Sequence, residues 1–188
     1  MKHVTGIVGG IGAGKSVVRR IVSAMGYPVY DCDSRAKSIM DSDPAIHTEL
    51  CAHIHPHAVA NGVINRPLIS EIVFADKTRL AALNSIVHTH VTADLLAWID
   101  QPPGARCFVE TAIPKSSALD KILTDAWIIT AADDVRISRV IERSHLSADQ
   151  IRSRIASQMS ETQGLECTAF TIYNDPESSL LSQINSLI

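Results

Sequence analysis

The chain has 188 residues, enough for one domain with a substantial core. Hydrophobic residues make up 46%, charged residues 20% and aromatics 4%, and the formal net charge is −3. That balance argues against a nucleic-acid binder, which needs a basic, aromatic-studded face, and no apolar run approaches the ~18 residues of a membrane span.

The first element, "HVTGIVG", is a short apolar strand ending in glycines, and "KSVVRRIVSAMG" follows as a helix closed by Gly26. "YPVYD" is a second strand with Pro28 near its start. "SRAKSIMDSDPAIHTELCAHI" reads as helix broken at Asp43-Pro44, and "NGVINR" as a turn at Asn61-Gly62 leading into another helix. Residues 77 to 100 carry the longest helical pattern, with Leu80, Leu83, Val87, Val91, Leu95 and Trp98 forming one apolar stripe. "ARCFVETAI" and "DAWIITA" are buried-strand candidates separated by a short helix around Ala118 to Leu123. "DDVRISRVIERS" and "SADQIRSRIASQM" are helices, the first with Asp133 and Asp134 at its positive end, the second with Ser147 as N-cap. "CTAFTIYN" is a last strand, and "DPESSLLSQINSLI" a closing helix with Pro176 in its first turn. Five strands alternating with helices predict an α/β fold built on a mainly parallel sheet.

The N-terminus shows no cleavable signal pattern. Cys32, Cys51, Cys107 and Cys167 are scattered, with no C-x-x-C pair, and read as reduced thiols of a cytoplasmic protein. The three histidines of "HIHPH" (His53, His55, His57) lack a complete metal-ligand set and read as exposed loop residues.

The strongest signal is "GGIGAGKS", in which Gly9, Gly14, Lys15 and Ser16 match G-x-x-x-x-G-K-[ST] between a predicted strand and a predicted helix. Successive backbone N–H groups converge on phosphate in such a loop, so small residues are needed at its bends. Gly10, Ile11, Gly12, Ala13, Gly14, Lys15, Ser16 and Val17 are therefore the candidate nucleotide-binding residues. Lys15 is placed to reach the β- and γ-phosphates, and the Ser16 hydroxyl to ligate Mg²⁺. GTPases, motor ATPases and small-molecule kinases all use this loop. No N-K-x-D base-reading motif is present, and neither "CFVE" nor "ITAADD" is a clean Walker B strand, so a small kinase with a water-excluding lid fits best. A kinase for another nucleotide or nucleoside, or a nucleotide-binding regulatory protein without turnover, stays open on these residues. Asp31 and Asp33, in "YDCDSRAK", follow a strand beside the loop strand, where open α/β sheets bind ligands. Asp33 is the candidate general base toward an attacking hydroxyl, and Asp31 its support.

In order along nearly the whole chain, these segments resemble the dephospho-CoA kinase family. The loop and D-x-D segment are followed by "NGVINRPLISEIVFAD" (Gly62, Arg66, Leu68, Phe74), "LNSIVH" (Leu83, Asn84, His88), "SRVIERSHLSADQIRSRIASQ" (Arg139, Arg143, Arg154, Gln158) and "FTIYN" (Ile172, Asn174). The resemblance implies a three-layer P-loop fold with core segments 1–33, 101–142 and 167–188. It implies a helical substrate-side insertion at about 34–100 and a helical lid at about 143–166. It further implies ATP and Mg²⁺ as cofactors and phosphorylation of the 3′-hydroxyl of dephospho-CoA, the last step of coenzyme A synthesis, by a monomer or weak oligomer. Lys15, Asp33, Arg139 and Arg143 would then carry the chemistry, with Asp31, Asp33, Arg66 and His88 on the acceptor. Three positions depart from the family pattern: Thr89 replaces a proline after His88, "IPKSSALD" has Ser116 where an acid is expected, and "CTAFTIYN" lacks an aspartate. Glu110, at the end of its strand, is a candidate compensating acid.

Overall fold

The computed structural model describes residues 2–144 and 146–188, leaving only His145 of the expected lid outside the described residues. Seven strands and eight α-helices follow in chain order among them. β1 (His3–Val8), α1 (Lys15–Ala24) and β2 (Val29–Asp31) open the chain. The helices α2 (Cys32–Ser42) and α3 (Pro44–His53) precede a hairpin of β3 (Val59–Ala60) and β4 (Val63–Ile64), then α4 (Arg66–Ala75) and α5 (Lys77–Ile99). β5 (Arg106–Thr111), β6 (Asp125–Thr130), α6 (Asp133–Arg143), α7 (Ala148–Gln158), β7 (Thr168–Tyr173) and α8 (Leu180–Asn185) complete it. The chain forms two compact units, Met1–Asp31 with Ile99–Ile188, and Cys32–Trp98.

In the first unit, five strands run in the order β2-β5-β1-β6-β7, every pair parallel. The inner strands are buried and so read as continuous apolar runs rather than alternating ones. Phe108 of β5 and Trp127 of β6 are fully buried and meet edge-to-face with ring centroids 5.0 Å apart. Ile7, Val18, Val22, Ile129, Ile172 and Ile184 complete that core from β1, α1, β6, β7 and α8. The edge strand β7 is mostly exposed, and Gln183 of α8 closes part of it by exchanging two hydrogen bonds with the Tyr173 backbone, at 2.8 and 2.9 Å.

In the second unit, the hairpin follows from Asn61 and Gly62, whose φ angles of 51° and 76° form a two-residue turn matched to strand twist. The sequence shows only the turn there, because each strand has two residues. Asp43 caps α3 by accepting from the Ala45 N–H, with Pro44 at the first helical position. α5 buries Ile86, Val91, Leu95 and Ile99, whereas Leu80 is 40% exposed. Of the predicted stripe, Val91 and Leu95 are buried, Leu83, Val87 and Trp98 are half-buried, and Leu80 is the exposed member.

Two local expectations are corrected. The helix around Ala118 to Leu123 is a single 3₁₀ turn, Leu119–Lys121, entered through Ala118 at φ 56°. Pro176 lies ahead of α8, not in its first turn, and Ser179 is the N-cap. The cause is tertiary: the Asp175 carboxylate is held by the Ala132 N–H at 2.8 Å, and the chain turns there before a helix can start.

Candidate active site

Gly9 to Gly14 connect β1 to α1 at the carboxyl edge of the sheet. Gly12 has φ 77° and packs against the Arg136 carbonyl. Gly14 has φ 96° and packs against the Asn174 amide, which occupies the place a side chain would take. These two positions need glycine for both reasons. Lys15 folds over the loop and donates to the Gly9 and Gly10 carbonyls at 2.8 and 3.4 Å. Ser16 follows it in the first turn of α1, half-buried, so the helix's positive end stands at the end of the loop.

Side chains far away in sequence hold this loop. The Ile11 peptide is gripped on both sides: its N–H donates to Gln158 Oε1 at 2.7 Å, and its carbonyl accepts from Arg136 Nε at 3.0 Å. Asn174 Nδ2 donates to the Ala13 carbonyl at 2.9 Å, and Arg139 Nη2 donates to the Asn174 carbonyl at 2.8 Å. Arg139 Nη1 stands beside Gly14, buried and with no hydrogen-bond partner among the described residues. A cavity of about 200 Å³ opens next to the loop, lined by Gly9, Gly10, Thr130, Asp133, Arg136 and Gln158 among others.

The two arginines proposed from α6 separate. Arg139 reaches the loop, while Arg143 ends the helix exposed and makes no hydrogen bond to the loop among the described residues. Arg136, one turn before Arg139, is the second α6 arginine at the loop. Its signal was present in R-x-x-R-x-x-x-R, a spacing that puts all three on neighbouring positions of one face.

Asp31 ends β2, in register with Glu110 of β5. Arg19 of α1 pairs with Glu110 at 2.7 Å and reaches Asp31 at 4.0 Å. Glu110, the candidate compensating acid, is thus ion-paired to an arginine. Asp33, in the first turn of α2, is exposed. Within the second unit, Arg66 pairs with Asp41 at 2.6 Å, and His88 lies half-buried in the middle of α5.

His90, on the same helix, carries no sequence signal of its own but holds two carboxylates. Nδ1 faces Asp43 and Nε2 faces Glu49, each at 3.0 Å. Burial disfavours its charge, but the hydrogen bonds to Glu49 and Asp43 outweigh that and hold its pKa above the ordinary value. Asp43 is correspondingly lowered, first by the Ala45 N–H and also by His90. The rings of His55 and His57 lie 5.5 Å apart, and among the described residues no cluster of three His, Cys, Asp or Glu side chains is arranged to hold a metal.

A glycine loop with a lysine and a following helix on a wholly parallel 2-5-1-6-7 sheet defines a P-loop α/β protein, and solved structures share that fold. A Thermus thermophilus protein superimposes with TM-score 0.80 at 27% identity, covering 100% of this chain and 98% of its own. The dephospho-CoA kinase from Campylobacter jejuni superimposes with TM-score 0.70 at 22% identity, again covering 100% and 98%, which speaks to the fold. The dephospho-CoA kinase family profile matches residues 3–179. A dephospho-CoA kinase of Bacteroides fragilis is 34% identical over 184 residues, 97% of this chain and 90% of that protein. The chain belongs to the dephospho-CoA kinase family and is a phosphotransferase.

Proposed function

We propose that this kinase transfers the γ-phosphoryl group of ATP to the 3′-hydroxyl of dephospho-CoA. The observation that carries this reading is Arg139 Nη1, a buried cationic donor without a partner among the described residues, beside Gly14 of the loop. Buried donors are ordinarily satisfied. An anion seated on the loop satisfies this one, and a transferring phosphoryl group is such an anion.

Asp33 takes the proton from the attacking hydroxyl. The ribose oxygen bonds to the γ-phosphorus, the bond to the β–γ bridging oxygen breaks, and ADP leaves with that electron pair. Lys15 leaves the Gly9 and Gly10 carbonyls for the phosphates, neutralising charge as it builds. Arg139 does so from the side of Gly14. Asp31 holds Arg19 near the acceptor edge, while Arg66, His88 and Arg143 serve the acceptor and the lid. Ser16 fits a divalent cation: its hydroxyl makes no hydrogen bond among the described residues and is the oxygen donor that a hard ion takes. Mg²⁺ held by Ser16 and the ATP phosphates would supply charge neutralisation. The segment around 143–166 acts as the lid, and residues around 34–100 as the acceptor-side insertion. A cytoplasmic setting suits the free thiols of Cys32, Cys51, Cys107 and Cys167, and no helix among the described residues is long and apolar enough to cross a membrane.

The test is a coupled assay of ADP release with mass analysis of the product. Release stimulated by dephospho-CoA and not by nucleoside monophosphates, with one phosphate added to the acceptor, is the expected result. Stimulation by a different hydroxyl acceptor alone overturns the substrate. Tight ATP binding without acceptor-dependent turnover overturns the activity.

A further inference from the structure

Glu161 is a buried carboxylate to which neither the phosphate loop nor the family motifs assign a task. It lies in the 3₁₀ turn Met159–Thr162 that trails α7, and it is 8% exposed. Its Oε2 accepts from the backbone N–H groups of Lys115 and Ser116, both at 3.0 Å, and its Oε1 accepts from the Ser116 hydroxyl. Lys115 Nζ adds a bond to the Gln163 carbonyl at 2.9 Å. Three donors on one carboxylate form a charge-assisted clasp, which a buried acid requires.

The turn that it clasps occupies a telling place. β5 lies between β1 and β2 in the sheet. Val8, the last residue before the phosphate loop, is in register with Thr111, and Asp31 with Glu110. The chain after Thr111 thus leaves the carboxyl edge between the phosphate loop and the end of β2. Open α/β sheets hold their ligands at that edge, so a turn there is placed to meet an acceptor. Glu161 brings its carboxylate to that turn from the 3₁₀ turn that trails α7.

We infer that Glu161 is a positioning residue for the acceptor: acting through the Lys115–Ser116 turn, it fixes the acceptor side of the site to the lid. Gln158, three residues earlier, does the corresponding task for the donor by holding the Ile11 N–H. The short segment 158–161 is a strap with one hold on the phosphate loop and another on the turn after β5. This rests on the kinase reading above, and the two can fail separately.

Full-length wild type, Glu161→Ala, Glu161→Gln and Gln158→Ala are compared by initial rates against each substrate and by hydrogen–deuterium exchange of residues 112–118. Glu161→Ala is expected to raise the acceptor KM about tenfold while the ATP KM stays within about twofold, and to speed exchange in 112–118. Glu161→Gln recovers most of the acceptor KM, since one oxygen can still accept from both backbone N–H groups. Gln158→Ala shows the opposite split, with the ATP KM raised. Unchanged exchange in 112–118, an unchanged acceptor KM despite faster exchange, or an equal rise in both KM values overturns the inference. A wild-type enzyme that phosphorylates some other hydroxyl and not dephospho-CoA refutes the substrate instead, and the Glu161 split is then read on that acceptor.

Discussion

Replacing Gly12 with alanine tests whether the phosphate loop depends on close approach of backbone to backbone or only on permissive dihedrals. Gly12 has φ 77°, where an L-residue costs about 1–2 kcal/mol. Its added Cβ would stand 2.6 Å from the Arg136 carbonyl oxygen, well inside the 3.4 Å at which ordinary contact begins. That oxygen belongs to the backbone of α6 and cannot swing aside, so overpacking adds about 1–3 kcal/mol. Gly104 is the control: its φ is 90°, but nothing lies within 4 Å of the position its Cβ would take. There the dihedral cost stands alone, offset by the ~0.4–1 kcal/mol gained from a stiffer unfolded chain. The same offset acts at both sites, so at about 2–4 °C per kcal/mol for a chain of this size Gly104→Ala should lower Tm by about 6 °C or less, and Gly12→Ala by about 2–12 °C more than that, the overpacking alone. Calorimetry measures both, and initial rates should show a raised ATP KM for Gly12→Ala only, because pushing the loop off α6 re-aims its N–H groups. Equal Tm losses for the two variants, or an ATP KM for Gly12→Ala within twofold of wild type, would refute the reasoning.

Other consequences follow from single contacts. Asp33→Asn should lower kcat by about 10²–10⁴-fold with ATP affinity held, and a retained kcat removes Asp33 as the base. Arg139→Lys should lower kcat more than it changes stability, since an ammonium cannot both hold the Asn174 carbonyl and face Gly14; unchanged kcat would contradict this. Phe108→Ala, in the fully buried stack with Trp127, should cost about 3–5 kcal/mol, read from denaturant midpoints. For His90 the folded pKa is raised, so its contribution is complete below the ordinary histidine value and is lost as pH rises through the raised one. Asp43 is lowered, so its contribution holds above the ordinary carboxylate value and fades only as pH falls through the lowered one. Tm should therefore be greatest from about pH 4 to 6.5 for this clamp, and His90→Gln should flatten the fall above that window. An unchanged pH profile in His90→Gln would show that the imidazole is not the charged partner of Asp43 and Glu49.

What could be read from residues alone was whatever is contiguous. The loop Gly9 to Ser16 announces itself because its requirements, small residues at bends and a lysine at the helix start, fall within eight positions. The inner strands announced themselves because burial on both faces leaves an unbroken apolar run, as in "CFV" and "WII". Ser147 as N-cap was legible for the same reason, and its partner Gln150 completes a capping box three residues on. The exposed edge strand β7 and the α5 stripe were read less well, since the faces they present depend on neighbours that no local pattern names.

The family likewise followed from the order of its motifs, but the grip on the loop did not. The hydrogen bond from Ile11 to Gln158 spans 147 positions, and that from Asn174 to Ala13 spans 161. Glu161 carries no signal at all in its own stretch, "MSETQG". It became visible only when the fold brought it against Ser116, 45 positions away. By itself, the sequence placed a glycine loop with the makings of a phosphate nest at the end of β1, because such a nest is a local construction. Tertiary structure alone decided which side chains hold that nest in shape, because a buried donor or acceptor takes its partner from whatever the fold places beside it.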